Sequence, residues 1–405
     1  MRAVGTPDDA ALSVRDLSIA LRTGAPIIEA LDFDVAPGGA LGIVGESGSG
    51  KTTLALALVG HTAPGIRVAS GAITIGGRDI LSDSRARAAL RGRTIAYVPQ
   101  DAPSALNPSM RAGDIVAEML RIHAPDRFDR DSIARAMSLV DLPADRGFLR
   151  RYPHQLSGGQ QQRLAIAAAM AAEPGVLVLD EPTTGLDMIT QERILKEAAT
   201  LRARTGVSLI VISHDLEVVD HLCDRTLVLY AGRVAEDGPT STLLRSPAHP
   251  YTRGLLEAVA RPGVHLRSME GTAPAPGQRG SGCLFAPRCP QVAPACTATP
   301  PPLQEVGPDR RVACPYHETS KATKTVPLSP RPVRDVEAPV LEVEGLDVAY
   351  RGTPVLRDVS LTIRRGDRIA LLGQSGSGKT TFGRCVAGLV DRAGGEVRLN
   401  ARPLP

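Results

Sequence analysis

The feature that most constrains this chain is a glycine-rich stretch, Gly45-Glu46-Ser47-Gly48-Ser49-Gly50-Lys51-Thr52, set between a short apolar run and a helix-forming run. It fits G-x-x-x-x-G-K-[ST] in the strand–loop–helix context that gives the motif its meaning. Glycines let the backbone close around phosphate groups, and successive N–H groups together with a helix N-terminus draw negative charge. Gly45 to Gly50 are therefore the candidate cradle. Lys51 is placed to reach the β- and γ-phosphates, the Thr52 hydroxyl to ligate magnesium, and Thr53 to open the helix beside them. The bland alternative, a glycine turn with a chance lysine, is weakened because the stretch recurs.

GIVGESGSGKTTLALALVG at 42–60 returns 328 residues later as ALLGQSGSGKTTFGRCVAG at 370–388. The match extends backwards, LSVRDLSIAL (12–21) answering LEVEGLDVAY (341–350). Leu41–Val44 and Ile369–Leu372 both read as short β-strands before the loop, with a helix after it. Two copies of one nucleotide-binding domain are expected. The second contributes Gly373, Gly378, Lys379, Thr380 and Thr381, and ends after about 65 residues. Between the copies, prolines are dense enough to disfavour helices and central strands. The expected boundaries are a first domain at 1–245 with a helical part at about 101–165, an extension at 246–320, a linker at 321–338 and the second copy at 339–405.

Val176-Leu177-Val178-Leu179-Asp180-Glu181 reads as a buried strand ending in two carboxylates. Asp180 suits a magnesium ligand and Glu181 a general base that polarises attacking water. Alone, such a strand end is most often a cap. Its company is Leu156-Ser157-Gly158-Gly159-Gln160 followed by a helix, and here the sequence resembles the ABC ATPase family, of which LSGGQ is the signature. The resemblance implies an α/β P-loop NTPase fold (RecA-like), with an antiparallel β subdomain and a helical subdomain. It implies that Ser157, Gly158, Gly159 and Gln160 clamp the γ-phosphate of a nucleotide held by an opposing ABC domain. It also makes Gln100 the magnesium-sensing Q-loop residue, Asp187 (in Thr184-Gly185-Leu186-Asp187) the D-loop residue, and His214 the switch histidine. One position departs from the pattern: the aromatic that stacks on adenine is Tyr350 in the second copy but Leu21 in the first.

Four of the six cysteines, Cys283, Cys289, Cys296 and Cys314, fall within 32 residues. In a reducing compartment such clustering points to a metal rather than to disulfides. Gaps of 5, 6 and 17 residues leave zinc and an iron–sulfur cluster equally open, with His317 a possible substitute ligand. Three stretches resemble the ATPases of dipeptide and oligopeptide permeases: Gln100 to Pro108, His249-Pro250-Tyr251-Thr252, and the cysteine segment from Gly282. That resemblance implies a 4Fe-4S cluster on the four cysteines, with a structural role. It further implies ATP and Mg2+ as cofactors and two membrane-spanning permease subunits as partners, served indirectly by a solute-binding protein. The location implied is the cytoplasmic face of the inner membrane, held peripherally.

A net charge of +4 over 405 residues makes no case for nucleic acid. No apolar run approaches the roughly 18 residues that span a bilayer, and the N-terminus lacks an apolar secretory core. Two soluble alternatives use ABC domains, a translation factor and a DNA-repair ATPase. The first should carry a charged helical linker, and the second a large insertion between Gln100 and Leu156; neither is present. The second copy stops before any Q-loop, signature, carboxylate pair or switch histidine. The expectation is therefore that the polypeptide continues past 405 or that a partner completes the sites.

Overall fold

The computed structural model describes residues 11–259, 269–319, 338–350, 352–373 and 376–404. The expected linker at 321–338 lies outside them except for its last residue, as do Gln374 and Ser375 of the second loop. The described residues fall into two compact units, one within Met1–Thr184 and Glu192–Pro327, the other within Gly185–Gln191 and Leu328–Pro405.

The first unit is built on two sheets. Strands β1 (Leu12–Leu21), β2 (Pro26–Val35), β4 (Ile66–Ile75) and β5 (Arg78–Asp79) form an antiparallel sheet in the order β2-β1-β4-β5. The second sheet has five parallel strands: β3 (Ala40–Val44), β6 (Ile95–Val98), β7 (Val176–Asp180), β8 (Ser208–Ser213) and β9 (Arg225–Tyr230). β10 (Arg233–Pro239) continues it antiparallel, and β12 (Arg310–Val312) and β11 (Gln304–Gly307) close its edge. The full order is β11-β12-β10-β9-β3-β8-β7-β6. Residues from the proline-rich segment thus pair directly with the sheet, Glu236 opposite Val312 and Asp237 opposite Arg311.

Alternation along the parallel strands divides the interior in two. Ile43, Val178, Ile210, Ile212, Leu227 and Leu229 pack towards the antiparallel sheet, with Leu54 and Leu58 of the helix Lys51–Leu58. Val44, Leu177, Leu179, Val211 and Val228 face a helical layer that includes Val116 and Leu120 of Ala112–His123 and Leu164 and Met170 of Gly158–Met170. Strands buried on both faces are near-continuous apolar runs, as ALGIV, VLVLD and SLIVIS are. Among the described residues no helix is long and apolar enough to cross a membrane.

The second unit repeats the antiparallel pattern. β13 (Pro339–Tyr350), β14 (Thr353–Arg364), β15 (Gly394–Leu399) and β16 (Arg402–Pro403) lie in the order β14-β13-β15-β16. The helix Lys379–Val386 packs Phe382 and Cys385 on Val343, Leu346, Val348 and Val397. One expectation is corrected here: Ile369–Leu372 form no strand. In the first unit the corresponding residues sit between β8 and β9. No strand of the second unit, among the described residues, flanks 369–372. A parallel strand has no internal hydrogen bonds, so without neighbours its apolar sequence cannot hold it extended.

Candidate functional site

The glycine loop leaves the end of β3 and turns into the helix that starts at Lys51. Gly50 has φ 96°, and a Cβ there would lie 2.7 Å from Ile28 Cδ1, so only glycine admits both the turn and the packing. At Gly45 a Cβ would stand 2.3 Å from the Leu229 carbonyl oxygen. Lys51 is buried; its Nζ donates to the Gly45 carbonyl at 2.7 Å and the Glu46 carbonyl at 3.0 Å. Burial lowers its pKa, opposed by the charges of Glu181, Asp180 and Glu46. The Ser49 hydroxyl is buried with no hydrogen-bond partner among the described residues. Such an orphan facing a glycine cradle suits a loop made to receive phosphate oxygens.

Asp180 ends β7 at 0% exposure. Its Oδ2 accepts from the Tyr97 hydroxyl at 3.0 Å, and its Oδ1 has no partner among the described residues. Burial pushes the carboxyl pKa up, while the hydroxyls of Tyr97 and Thr52 favour the charged form. A buried carboxylate oxygen held open beside a threonine and a lysine fits a hydrated magnesium ion.

Glu181, the next residue, adopts φ 46°, a left-handed conformation that costs a non-glycine residue of order 1–3 kcal/mol. Its N–H is held by the Ile212 carbonyl at 2.8 Å. The consequence is directional, because this backbone turn sends the side chain out of the β7 register. Three groups then converge on Oε2: Gln100 Nε2 at 3.1 Å, the Thr184 hydroxyl at 2.9 Å and His214 Nδ1 at 3.1 Å. Three separate segments meet there, Gln100, Glu181 with Thr184, and His214, while Oε1 carries none of these bonds.

Ser157, Gly158, Gly159 and Gln160 sit elsewhere, at the start of Gly158–Met170. Ser157 caps that helix, accepting from Gln160 N–H at 3.3 Å, while Gln160 Oε1 accepts from Ser157 N–H at 3.0 Å. The Gly159 carbonyl accepts from Arg163 Nε at 3.3 Å, one turn along the same helix. Asp187 accepts from the Thr190 N–H at 3.0 Å and hydroxyl at 2.9 Å. Leu21 packs against the core, and Tyr350 is 45% exposed.

Sequence reasoning missed two groups. Tyr97 stands three residues before Gln100 and carries no motif of its own. Arg288 and Tyr251 of the extension reach the glycine loop itself, through Glu46. The long sequence separation between Glu46 and Arg288 hides that contact.

Cys283, Cys289, Cys296 and Cys314 line one cavity of about 220 Å³, with Phe285 and Pro300–302. Burial raises the pKa of Cys283 and Cys289 and pushes Cys314 up to about 11. Among the described residues, however, no three His, Cys, Asp or Glu side chains form a ligand set for a metal ion. The sulfur donors share a cavity, but the expected centre is not present as a formed site.

The family description "ABC transporter" matches residues 28–184 and 356–405, and "Oligopeptide/dipeptide transporter, C-terminal region" matches 235–296. The chain is 37% identical over 401 residues to an oligopeptide transport ATP-binding protein, OppD, of Mycobacterium tuberculosis, covering 91% of this chain and 65% of that protein. It thus spans just under two thirds of the mycobacterial relatives it matches. A putative peptide import ATP-binding protein of Brucella ovis is 38% identical over 314 residues, covering 75% of this chain and 96% of that one. The dipeptide transport ATP-binding protein DppD of Haemophilus influenzae is 36% identical, covering 75% and 95%. Among solved structures, cbiO1 of Clostridium perfringens, part of the ABC transporter complex cbiONQ, aligns with a TM-score of 0.53 at 26% identity, covering 58% of this chain and 91% of that one.

Proposed function

The chain belongs to the ABC transporter ATP-binding proteins, in the group of oligopeptide and dipeptide transport, and on that premise we propose that it hydrolyses ATP to energise import of di- or oligopeptides. The observation that carries the reading is the cluster on Glu181. Gln100, Thr184 and His214 fix Oε2, which leaves Oε1 to accept a proton from water. The loop Gly45–Gly50 cradles the phosphates, and Lys51 exchanges its carbonyl partners for β- and γ-phosphate oxygens. Thr52, Asp180 and Gln100 would hold magnesium, which neutralises charge on the phosphate oxygens. His214 sits 59% exposed, where a γ-phosphate at the loop's mouth would come within its reach.

Ser157–Gln160 and Asp187 serve a nucleotide bound by an opposing ABC domain, in keeping with a signature loop that sits at a helix start apart from the Glu181 cluster. The opposing partner is a second ABC ATPase domain. The partners are two membrane-spanning permease subunits at the cytoplasmic face of the inner membrane, with a solute-binding protein beyond them. The relatives are transport proteins, so an action in translation or DNA repair is not favoured. For the cysteines, the finer reading of a 4Fe-4S cluster rather than zinc rests on the permease-ATPase resemblance alone; the four thiols line one cavity but form no ligand set among the described residues.

Glu181→Gln tests the centre. It should bind MgATP with affinity near wild type and hydrolyse it about 10²–10⁴-fold more slowly. Hydrolysis at the normal rate would remove Glu181 as the base.

A further inference from the structure

The extension reaches the glycine loop at Glu46, and holds it through two residues. The Glu46 carboxylate is bidentate with Arg288, Nη1 to Oε2 at 2.8 Å and Nη2 to Oε1 at 2.9 Å. The Glu46 N–H donates to the Tyr251 hydroxyl at 2.8 Å. Its carbonyl in turn accepts from Lys51 Nζ at 3.0 Å.

Neither extension residue is free to wander. Tyr251 is 0% exposed and packs on Tyr230 and Phe285 with ring centroids 4.6 and 5.5 Å apart. The Arg288 side chain is 6% exposed, and its Nε donates to the Glu270 carbonyl at 2.8 Å. A second tie runs parallel. Arg279, 5% exposed, bonds Glu29 at 2.9 Å and the Ile27 carbonyl at 2.9 Å, on the strand whose Ile28 packs against Gly50.

We infer that Arg288 and Tyr251 are positioning residues for ATP binding, which fix the start of the phosphate loop through Glu46 and so set where Lys51 rests. This rests on the first loop being the nucleotide site. A glycine-rich loop is entropically expensive to order when phosphate arrives, and a loop ordered in advance binds more tightly. A bidentate arginine–carboxylate pair gives fixed geometry where a lysine would give only charge. Arg288 lies one residue before Cys289, and Phe285 under Tyr251 lines the same cavity, so both residues join the cysteine cavity to the loop.

The experiment uses the full chain, calorimetric binding of MgATP and of a non-hydrolysable magnesium–ATP analogue, and steady-state hydrolysis. Arg288→Ala should raise the Kd and the KM for ATP about tenfold, and Tyr251→Phe about threefold, with turnover at saturating ATP within about twofold of wild type. Arg288→Lys, which keeps the charge without the fork, should fall between wild type and Arg288→Ala. The Glu46→Gln/Arg288→Ala double variant should bind no more weakly than Arg288→Ala alone, because the pair acts as one unit. Tyr251→Phe removes a single hydroxyl and keeps the ring packing, so it reports even where Arg288→Ala fails to fold. Wild-type affinity in Tyr251→Phe and Arg288→Lys, or a loss confined to turnover, would overturn the inference. A wild-type chain that binds no MgATP would instead sink the nucleotide-site reading on which it stands.

Discussion

The two glycine loops carry nearly the same residues, yet the strands that lead into them have opposite fates. Leu41, Ile43 and Val44 are at most 2% exposed, while their counterparts Ile369, Leu371 and Leu372 are 47%, 47% and 87% exposed. What survives in the second copy is local. Gly378 takes φ 92° as Gly50 takes 96°, the helix begins at the lysine in both, and Lys379 Nζ bonds the Gly373 carbonyl as Lys51 bonds that of Gly45. Among the described residues the second loop has none of the distant partners of the first: no flanking strands like β8 and β9, no carboxylate strand, and none of the burial that follows. A phosphate-loop motif therefore specifies its own turn and helix start. Its surroundings make it a site.

The largest expected consequence separates the two lysines. Lys51→Ala should weaken MgATP binding about a hundredfold or more, since it removes a buried cation that the phosphates would otherwise meet. Lys379→Ala should change binding by less than twofold, because no described residue of the second unit supplies the carboxylates that Asp180 and Glu181 supply in the first. Equilibrium dialysis with labelled ATP compares the two, and equal losses would erase the distinction between the copies.

The same contrast explains how much of the molecule was legible in the sequence. The strands ALGIV, VLVLD and SLIVIS are short apolar runs with chemistry at their C-terminal ends, and the site residues Lys51, Asp180, Glu181 and His214 stand at or just beyond those ends. Parallel order then brings them together, because neighbouring parallel strands finish on the same side. The failed strand at 369–372 has the right pattern, but pattern records only propensity, and a parallel strand depends on neighbours that pattern does not count. Tyr251 and Arg288 were hidden for the converse reason. Their sequence context is a helix start and a proline-rich coil, and their role is set wholly by a fold that returns the chain to Glu46.

Burial predicts a second clean difference, in stability. Ile43→Ala, in a core with no exposure to lose, should cost about 2–5 kcal/mol. Leu371→Ala, at the matching position of the second copy, should stay within about 0.5 kcal/mol. Urea melts of the two variants followed by circular dichroism test this; a large cost at Leu371 would mean that 369–372 pack against something in solution.

The last expected effect comes from acid, and it too should fall on the first unit. His249 is wholly buried, and its Nδ1 accepts from the Tyr251 N–H at 3.0 Å, a role open only to the neutral ring. Burial lowers its pKa from 6.5 to about 4. In the unfolded chain the ring takes up a proton below about 6.5, while the folded protein resists until about 4. The unfolded state therefore binds more protons across that window, and stability falls as pH drops through it. The contribution is complete above pH 6.5, and by pH 4 up to about 3 kcal/mol is lost. The sequence from 338 to 405 contains no histidine, so the second unit has no such slope of its own from this source. His249→Asn keeps an acceptor at the helix start but does not titrate there. It should flatten the decline in melting temperature between pH 6.5 and 4 without abolishing folding at pH 7.5. An unchanged slope in that variant would place the acid sensitivity on other groups, and the difference between the two units would then rest on packing alone.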